Sequence, residues 1–180
     1  FTWYFLAAIS MFILGAVDDY WSISWRIKLP TQILTAFLVW VQFIQEMPMI
    51  TFFGYSLTDN PLVVGVLFIF WFVGIVNAVN LIDGMDGLAG GYIFLTSFFA
   101  LVIGWITGNK DFIYFNTIFM GAMAAFLYFN QRPAKFFMGD SGSLLLGFHV
   151  AVLPLLFFAT IPSKEVINMT PFILLSSYLI

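Results

Sequence analysis

The chain alternates between apolar runs of membrane length and short polar stretches. Residues 62–76 (LVVGVLFIFWFVGIV) and 92–105 (YIFLTSFFALVIGW) are typical of these runs. A helix crosses the bilayer core with about 20 apolar residues. Inside lipid a backbone must satisfy its own hydrogen bonds, which leaves helices and closed barrels as the available folds. The runs are continuous, whereas barrel strands alternate, so helices are predicted. Composition closes the remaining route. The 180 residues are 62% hydrophobic and 8% charged, whereas a soluble domain carries about a quarter charged residues. A mean hydropathy of +1.03 excludes a soluble core. The formal charge of −3 says little about partners, and no basic patch points to nucleic acid. Without cysteine there is no disulfide framework and no thiolate metal site.

The fold class is therefore all-α, a polytopic transmembrane helix bundle forming one membrane domain over residues 1–180. About seven spans are predicted: up to residue 17, then 31–45, 62–76, 88–106, 112–129 and 144–161, and a last one reaching residue 180. The first and last begin and end inside apolar runs, so the sequence reads as a piece of a longer protein. No repeat, linker or low-complexity segment divides it. Counting crossings puts the polar stretches 18–30, 77–87 and 130–143 on one face. Residues 46–61, 107–111 and 162–170 fall on the other. The first face holds Arg26, Lys28, Arg132 and Lys135, the second Lys110 and Lys164. An excess of Lys and Arg marks the cytoplasmic side. Asp18, Asp19, Asp83, Asp86 and Asp140 all lie on that same face.

Carboxylates between membrane-length apolar runs are costly unless they meet water, a cation or a ligand. Asp18 and Asp19 are adjacent where a span meets water, and adjacent carboxylates call for a cation; hard divalent cations take oxygen ligands. A plain helix end would also carry such a pair. Trp21 and Trp25 read as interfacial anchors, while Arg26 and Lys28 can snorkel to headgroups or bind a phosphate. Residues 77–91 (NAVNLIDGMDGLAGG) place Asp83 and Asp86 three apart, each followed by a glycine, just before a helix whose free amide groups favour an anion. Either aspartate could also be a simple N-cap, which leaves Asn77 and Asn80 unexplained. The third stretch sets Asp140 in a Gly-Ser turn after two basic residues and the Phe136-Phe137 pair. His149, inside a span, reads as an interhelical hydrogen-bonding residue. The sequon at Asn168 is a weak match. Together these groups fit phosphoryl transfer, in which a metal and basic residues offset phosphate charge and carboxylates hold metal or accept a proton. A membrane-embedded enzyme of this kind would act on a lipid phosphate.

In their order and on one side, Asp18-Asp19, the run from Asn77 to Gly90 and the run from Asn130 to Ser143 resemble the polyprenyl-phosphate N-acetylhexosamine-1-phosphate transferase family (glycosyltransferase family 4). The resemblance implies Mg²⁺-dependent transfer of a HexNAc 1-phosphate from a UDP-sugar to a polyprenyl phosphate, with release of UMP. Mn²⁺ is an allowed substitute. It implies Asp140 as the metal ligand. Asp18, Asp19, Asp83 and Asp86 are implied as catalytic, the first two either activating the acceptor oxygen or holding metal. Lys28, Asn80, Asn130 and Phe137 are implied as substrate-binding, with the Phe137 ring stacking on uracil. The partners implied are a UDP-HexNAc, a polyprenyl phosphate and the inner (cytoplasmic) membrane, with no nucleic acid; a homodimer is left open. The branch that makes the peptidoglycan lipid precursor carries a lysine three residues after the acidic pair. Here that position is Ser22, which favours the undecaprenyl-phosphate GlcNAc-1-phosphate branch. The phospho-MurNAc-pentapeptide transferase branch is the alternative. The resemblance also implies a basic loop before Phe1 and a histidine-rich loop after Ile180, so the fragment alone is not expected to be a complete enzyme. From a different class, a cation-coupled transporter would hold such acids in broken helices near the midplane. A purely structural subunit would leave the three acidic stretches unexplained.

Overall fold

The computed structural model describes residues 2–43, 50–52, 55–58 and 60–160 of the chain. Among these, six helices carry the fold: α1 (Thr2–Trp21), α2 (Trp25–Phe43), α3 (Pro61–Ile82), α4 (Leu88–Thr107), α5 (Lys110–Asn130) and α6 (Gly139–Thr160). A two-stranded antiparallel ribbon, β1 (Ile50–Phe52) with β2 (Tyr55–Thr58), stands where the sequence suggested a mixed loop. The expected seventh span, the loop before it and the sequon at Asn168 lie outside the described residues.

Five helices are long and apolar enough to cross a membrane: α1, α3, α4, α5 and residues 139–157 of α6. The chain is a multi-pass helical membrane protein. α2 is not one of the five, and it carries Arg26, Lys28, Gln32 and Gln42. It nevertheless packs against α1 and α3. Lys28, Gln32 and Thr35 of α2 find partners on other helices, whereas Arg26 and Gln42 are exposed. Gln32 is buried and exchanges hydrogen bonds with Asn77 of α3: the Asn77 amide donates to Gln32 Oε1 at 2.7 Å. One turn on, the Thr35 hydroxyl is 3.2 Å from that of Ser10 on α1.

The helices outrun the apolar runs at one end of the bundle. α1 passes Val17 and ends at Ser22, whose positive φ of 49° breaks the helix while its N–H still reaches the Asp18 carbonyl at 2.8 Å. α2 starts at Trp25, with Pro30 inside it. α3 runs to Ile82, so Asn77 and Asn80 are helical, and α6 starts at Gly139, so Asp140 and Ser143 are helical too. Hydropathy locates the edge of the lipid, whereas a helix stops where its backbone loses partners. At the other ends the stops follow local chemistry. Asn60 caps α3 by accepting from the Leu62 N–H, with Pro61 in the first turn. Gly108, at φ 69°, closes α4, and Asn109 caps α5.

α6 is the centre of the bundle. Every residue from Leu146 to Phe157 is buried, as a helix apolar on all faces must be. It packs chiefly on α1 and α3, while α4 and α5 form a hairpin beside it. His149 is buried within 3.2 Å of the Tyr4 hydroxyl and stacks on Phe119 at 3.5 Å between ring centroids, the interhelical role expected of it. Gly147 lets α6 touch the backbone of α3: a Cβ there would lie 2.8 Å from Val76 Cα and 3.0 Å from its carbonyl oxygen. Backbone cannot move aside as a side chain can. Gly147→Ala should therefore cost about 1–3 kcal/mol through overpacking, seen as a lower thermal unfolding midpoint in detergent. An unchanged midpoint would contradict this close approach.

Candidate functional site

α1, α3 and α5 end where α2, α4 and α6 begin, and the acidic residues collect at this end. Asp18 lies in the last turn of α1 and is only 6% exposed. Its Oδ2 is ion-paired with the Lys28 ammonium from the first turn of α2, and the same ammonium reaches Asp140 Oδ2 at 3.1 Å. Lys28 thus bridges two carboxylates from α1 and α6. On its other side, Asp140 Oδ1 accepts from the Asn80 amide at 2.8 Å, and that amide also donates to the Ser143 hydroxyl at 2.8 Å. Four helix ends therefore meet on one carboxylate. Asp18 Oδ1 is buried without a hydrogen-bond partner, an expensive condition for a carboxylate oxygen.

Asp19 faces a different task. Its Oδ1 accepts from the Asp140 N–H at 2.7 Å and its Oδ2 from the Ser141 N–H at 2.9 Å. Asp83 sits just past α3 as its C-cap. Burial, then the charges of Asp140 and Asp19, push its carboxyl up to about 6.

Asp86 departs from the expectation that it shares a helical face with Asp83. Residues 83–87 form a turn, not a helix. Asp86 is exposed there and accepts from the Ala134 N–H at 3.1 Å. Gly87, at φ 75°, is the N-cap of α4, so neither aspartate caps that helix. Asn130 ties the same two segments together. It is buried, accepts from the Gly87 N–H at 3.0 Å and donates to the Phe136 carbonyl at 2.8 Å. Phe137 is 69% exposed. Beside this brace an open hollow of about 760 Å³ lies between the start of α4 and the end of α5, lined by Met85, Asp86, Leu88, Leu127, Tyr128 and Arg132 among others. Arg26 is exposed and lies over the Trp25 ring at 5.7 Å.

Lys28, Asn80, Asp18, Asp19 and Asp140 are thus joined directly, with Asp83 close by in its electrostatic effect. Asp86, Asn130 and Phe137 belong to the neighbouring pair of loops. Among the described residues, no three Asp, Glu, His or Cys side chains form a ready-made metal cage; the ammonium of Lys28 stands between the two carboxylates instead. Sequence reading missed Ser143, which shares the Asn80 amide, and Gly15, where α1 lies against the backbone of Asp140 and Ser141. Gly15 had one signal, a lone glycine four residues before Asp19 on the same helix.

The arrangement defines a polytopic membrane protein with an acidic, lysine-bridged site where its helices open at one end. Residues 1–158 match the profile of glycosyl transferase family 4, and the chain belongs to that family. It is 38% identical over 156 residues to a phospho-N-acetylmuramoyl-pentapeptide-transferase of Anoxybacillus flavithermus, covering 80% of this chain and 48% of that protein. It is 37% identical over 155 residues to an undecaprenyl-phosphate alpha-N-acetylglucosaminyl 1-phosphate transferase of Thermotoga maritima, covering 86% and 45%. It is 32% identical over 162 residues to a probable undecaprenyl-phosphate N-acetylglucosaminyl 1-phosphate transferase of Bacillus subtilis, covering 84% and 42%. The chain spans about half the length of these curated relatives.

The Asp83 environment gives a titration with a definite sign. Like charges and burial favour its neutral form, so in metal-free protein its carboxyl should titrate near 6. The folded state then binds this proton more tightly than the unfolded chain, and the group works against folding as pH rises from about 4 to about 6. Asp140→Asn removes one of the raising charges, so the Asp83 midpoint should fall in that variant. Isotope-edited infrared titration in chelator measures it, and a midpoint that rose or stayed fixed would contradict the assigned cause.

Proposed function

We propose that this chain carries part of a transferase moving a HexNAc 1-phosphate from a UDP-sugar to a polyprenyl phosphate, with its polar end in the cytoplasm and its helices in the inner membrane. The observation that carries this reading is the junction of Asp18, Lys28, Asn80 and Asp140 at the ends of four helices. Such a junction is an anion site and a cation site in one place. Acids held in broken helices at the midplane would have favoured a transporter; here the acids sit where helices end.

In the proposed reaction, written as direct displacement, an oxygen of the lipid phosphate forms a bond to the sugar-bearing phosphorus of the UDP-sugar. The bond from that phosphorus to the bridging oxygen breaks, and the oxygen leaves with UMP. The product would start a cell-surface polysaccharide. Lys28 provides the positive charge at the centre of the junction and would offset phosphate charge. Asp83, whose carboxyl is pushed up to about 6, is suited to hold or release a proton. The hollow beside Asp86 is of a volume that accepts a nucleoside, and the exposed ring of Phe137 is free to stack on a base. Asn80 orients Asp140.

Around the Lys28 ammonium the junction offers carboxylate oxygens from Asp18 and Asp140, and Asp18 Oδ1 is left without a partner; oxygen ligands suit a hard divalent cation. Asp140 and Asp18 are the residues that would hold Mg²⁺, or Mn²⁺ in its place. When bound, such an ion supplies charge neutralisation for the diphosphate.

Ser22 supports a UDP-GlcNAc-type donor. The second reading, a UDP-MurNAc-pentapeptide donor, is supported by the likeness to the Anoxybacillus flavithermus protein. UMP release by the full-length protein with undecaprenyl phosphate and Mg²⁺, run with each donor in parallel, tests both. Asp140→Asn should lower kcat at least about 100-fold, the scale of losing a metal or charge-stabilising group. Unchanged turnover in that variant, or no UMP release with either donor, would sink the reading.

A further inference from the structure

The first N–H groups of a helix have no partner within it and are commonly met by the side chain of the residue just before. α6 begins at Gly139, at φ 69°, and the residue before it, Met138, has no carboxylate, amide or hydroxyl oxygen to offer. Its first amides are met from α1 instead, by both oxygens of Asp19. Four residues earlier, Gly15 lies on the same face of α1. A Cβ on Gly15 would come within 2.3 Å of the Asp140 carbonyl oxygen and 2.4 Å of Ser141 Cα. A Cβ on Gly139 would come within 3.0 Å of Asp19 Oδ2. Three residues therefore make one joint: a glycine that lets the helices touch, a carboxylate that caps, and a glycine that leaves room for the cap.

We infer that Asp19 is a positioning residue, acting with Gly15 to seat the first turn of α6 and so to aim the Asp140 carboxylate at Lys28 and Asp18. This departs from treating the adjacent aspartates as a functional pair. Asp18 points one oxygen to Lys28 and keeps the other unpartnered, whereas Asp19 spends both on backbone amides. The inference rests on the transferase reading for its consequence in catalysis, but the joint itself is testable without turnover.

The test uses the full-length protein and two variants. Asp19→Asn keeps one accepting oxygen and replaces the other with a donor facing a donor. Gly15→Ala changes no charge and pushes α6 away from α1. Both should speed amide hydrogen exchange at Asp140 and Ser141 by about 2- to 30-fold, the range for losing a helix cap. Exchange in the α4–α5 hairpin should stay unchanged. In UMP release, both variants should lower kcat with little change in the donor KM, and both should leave the acid limb of the pH–rate profile in place. A group that itself exchanges a proton in the reaction would lose that limb when made an asparagine. Unchanged exchange at Asp140 and Ser141 in Asp19→Asn would overturn the joint. Loss of the acid limb in Asp19→Asn, with Gly15→Ala turning over normally, would overturn the positioning role. If wild-type protein releases no UMP while exchange responds as expected, the transferase reading fails and the joint stands.

Discussion

One ammonium group holds the polar end of this bundle together. Asp18 and Asp140 arrive from different helices as like charges at the edge of a low-dielectric interior, where their repulsion is strong. Lys28 lies against both. Removing one member of such a group leaves an uncompensated charge, which costs far more than the group contributes as a whole. The positions of α1, α2 and α6 are therefore mutually conditioned at this end. α3 joins through Asn80, whose single amide nitrogen serves Asp140 and Ser143 together.

Below that junction the bundle is held by shape. Along its buried length α6 has one polar side chain, His149, and its rotation is set by contact: His149 against Tyr4 and Phe119, Gly147 against Val76, and Trp71 donating to the Ala151 carbonyl at 3.0 Å. The buried amide pair Gln32–Asn77 fixes how α2 meets α3. Amide pairs of this kind align helices in an apolar environment where lipid tails offer no alternative partner. They also explain how a helix as polar as α2 packs among apolar ones.

Much of the fold was legible in the sequence, because lipid leaves a chain few options. Helix number and order over the described residues followed from the apolar runs. The helix ends on the polar side did not, since hydropathy is silent about a helix that continues into water. That error mattered at the site: Lys28, Asn80 and Ser143, read as loop residues, are on helices, which is what gives them fixed directions. The gathering of Asp18, Asp19, Asp83 and Asp140 was readable from crossing parity alone. The division of labour among them was not. Adjacent aspartates look alike in sequence, and α1 turns Asp18 inward and Asp19 toward the α6 backbone. The bracing of the two loops by Asp86 and Asn130 was not legible either. Their hydrogen bonds to Ala134, Gly87 and Phe136 depend on a loop meeting that no local pattern encodes.

The central place of α6 bears on how the protein comes to exist in the membrane. Helices enter in chain order, and α6 follows the five others described. Apart from His149 and its polar first turn it is apolar on every side, which suits it to lipid before it packs in the bundle. Until it arrives, Lys28 has one carboxylate rather than two, Asn80 has no acceptor on α6, and Asp19 has no amides to meet. The described junction gains its last partners only when α6 is made, so the five helices before it carry the residues of the junction without the junction itself.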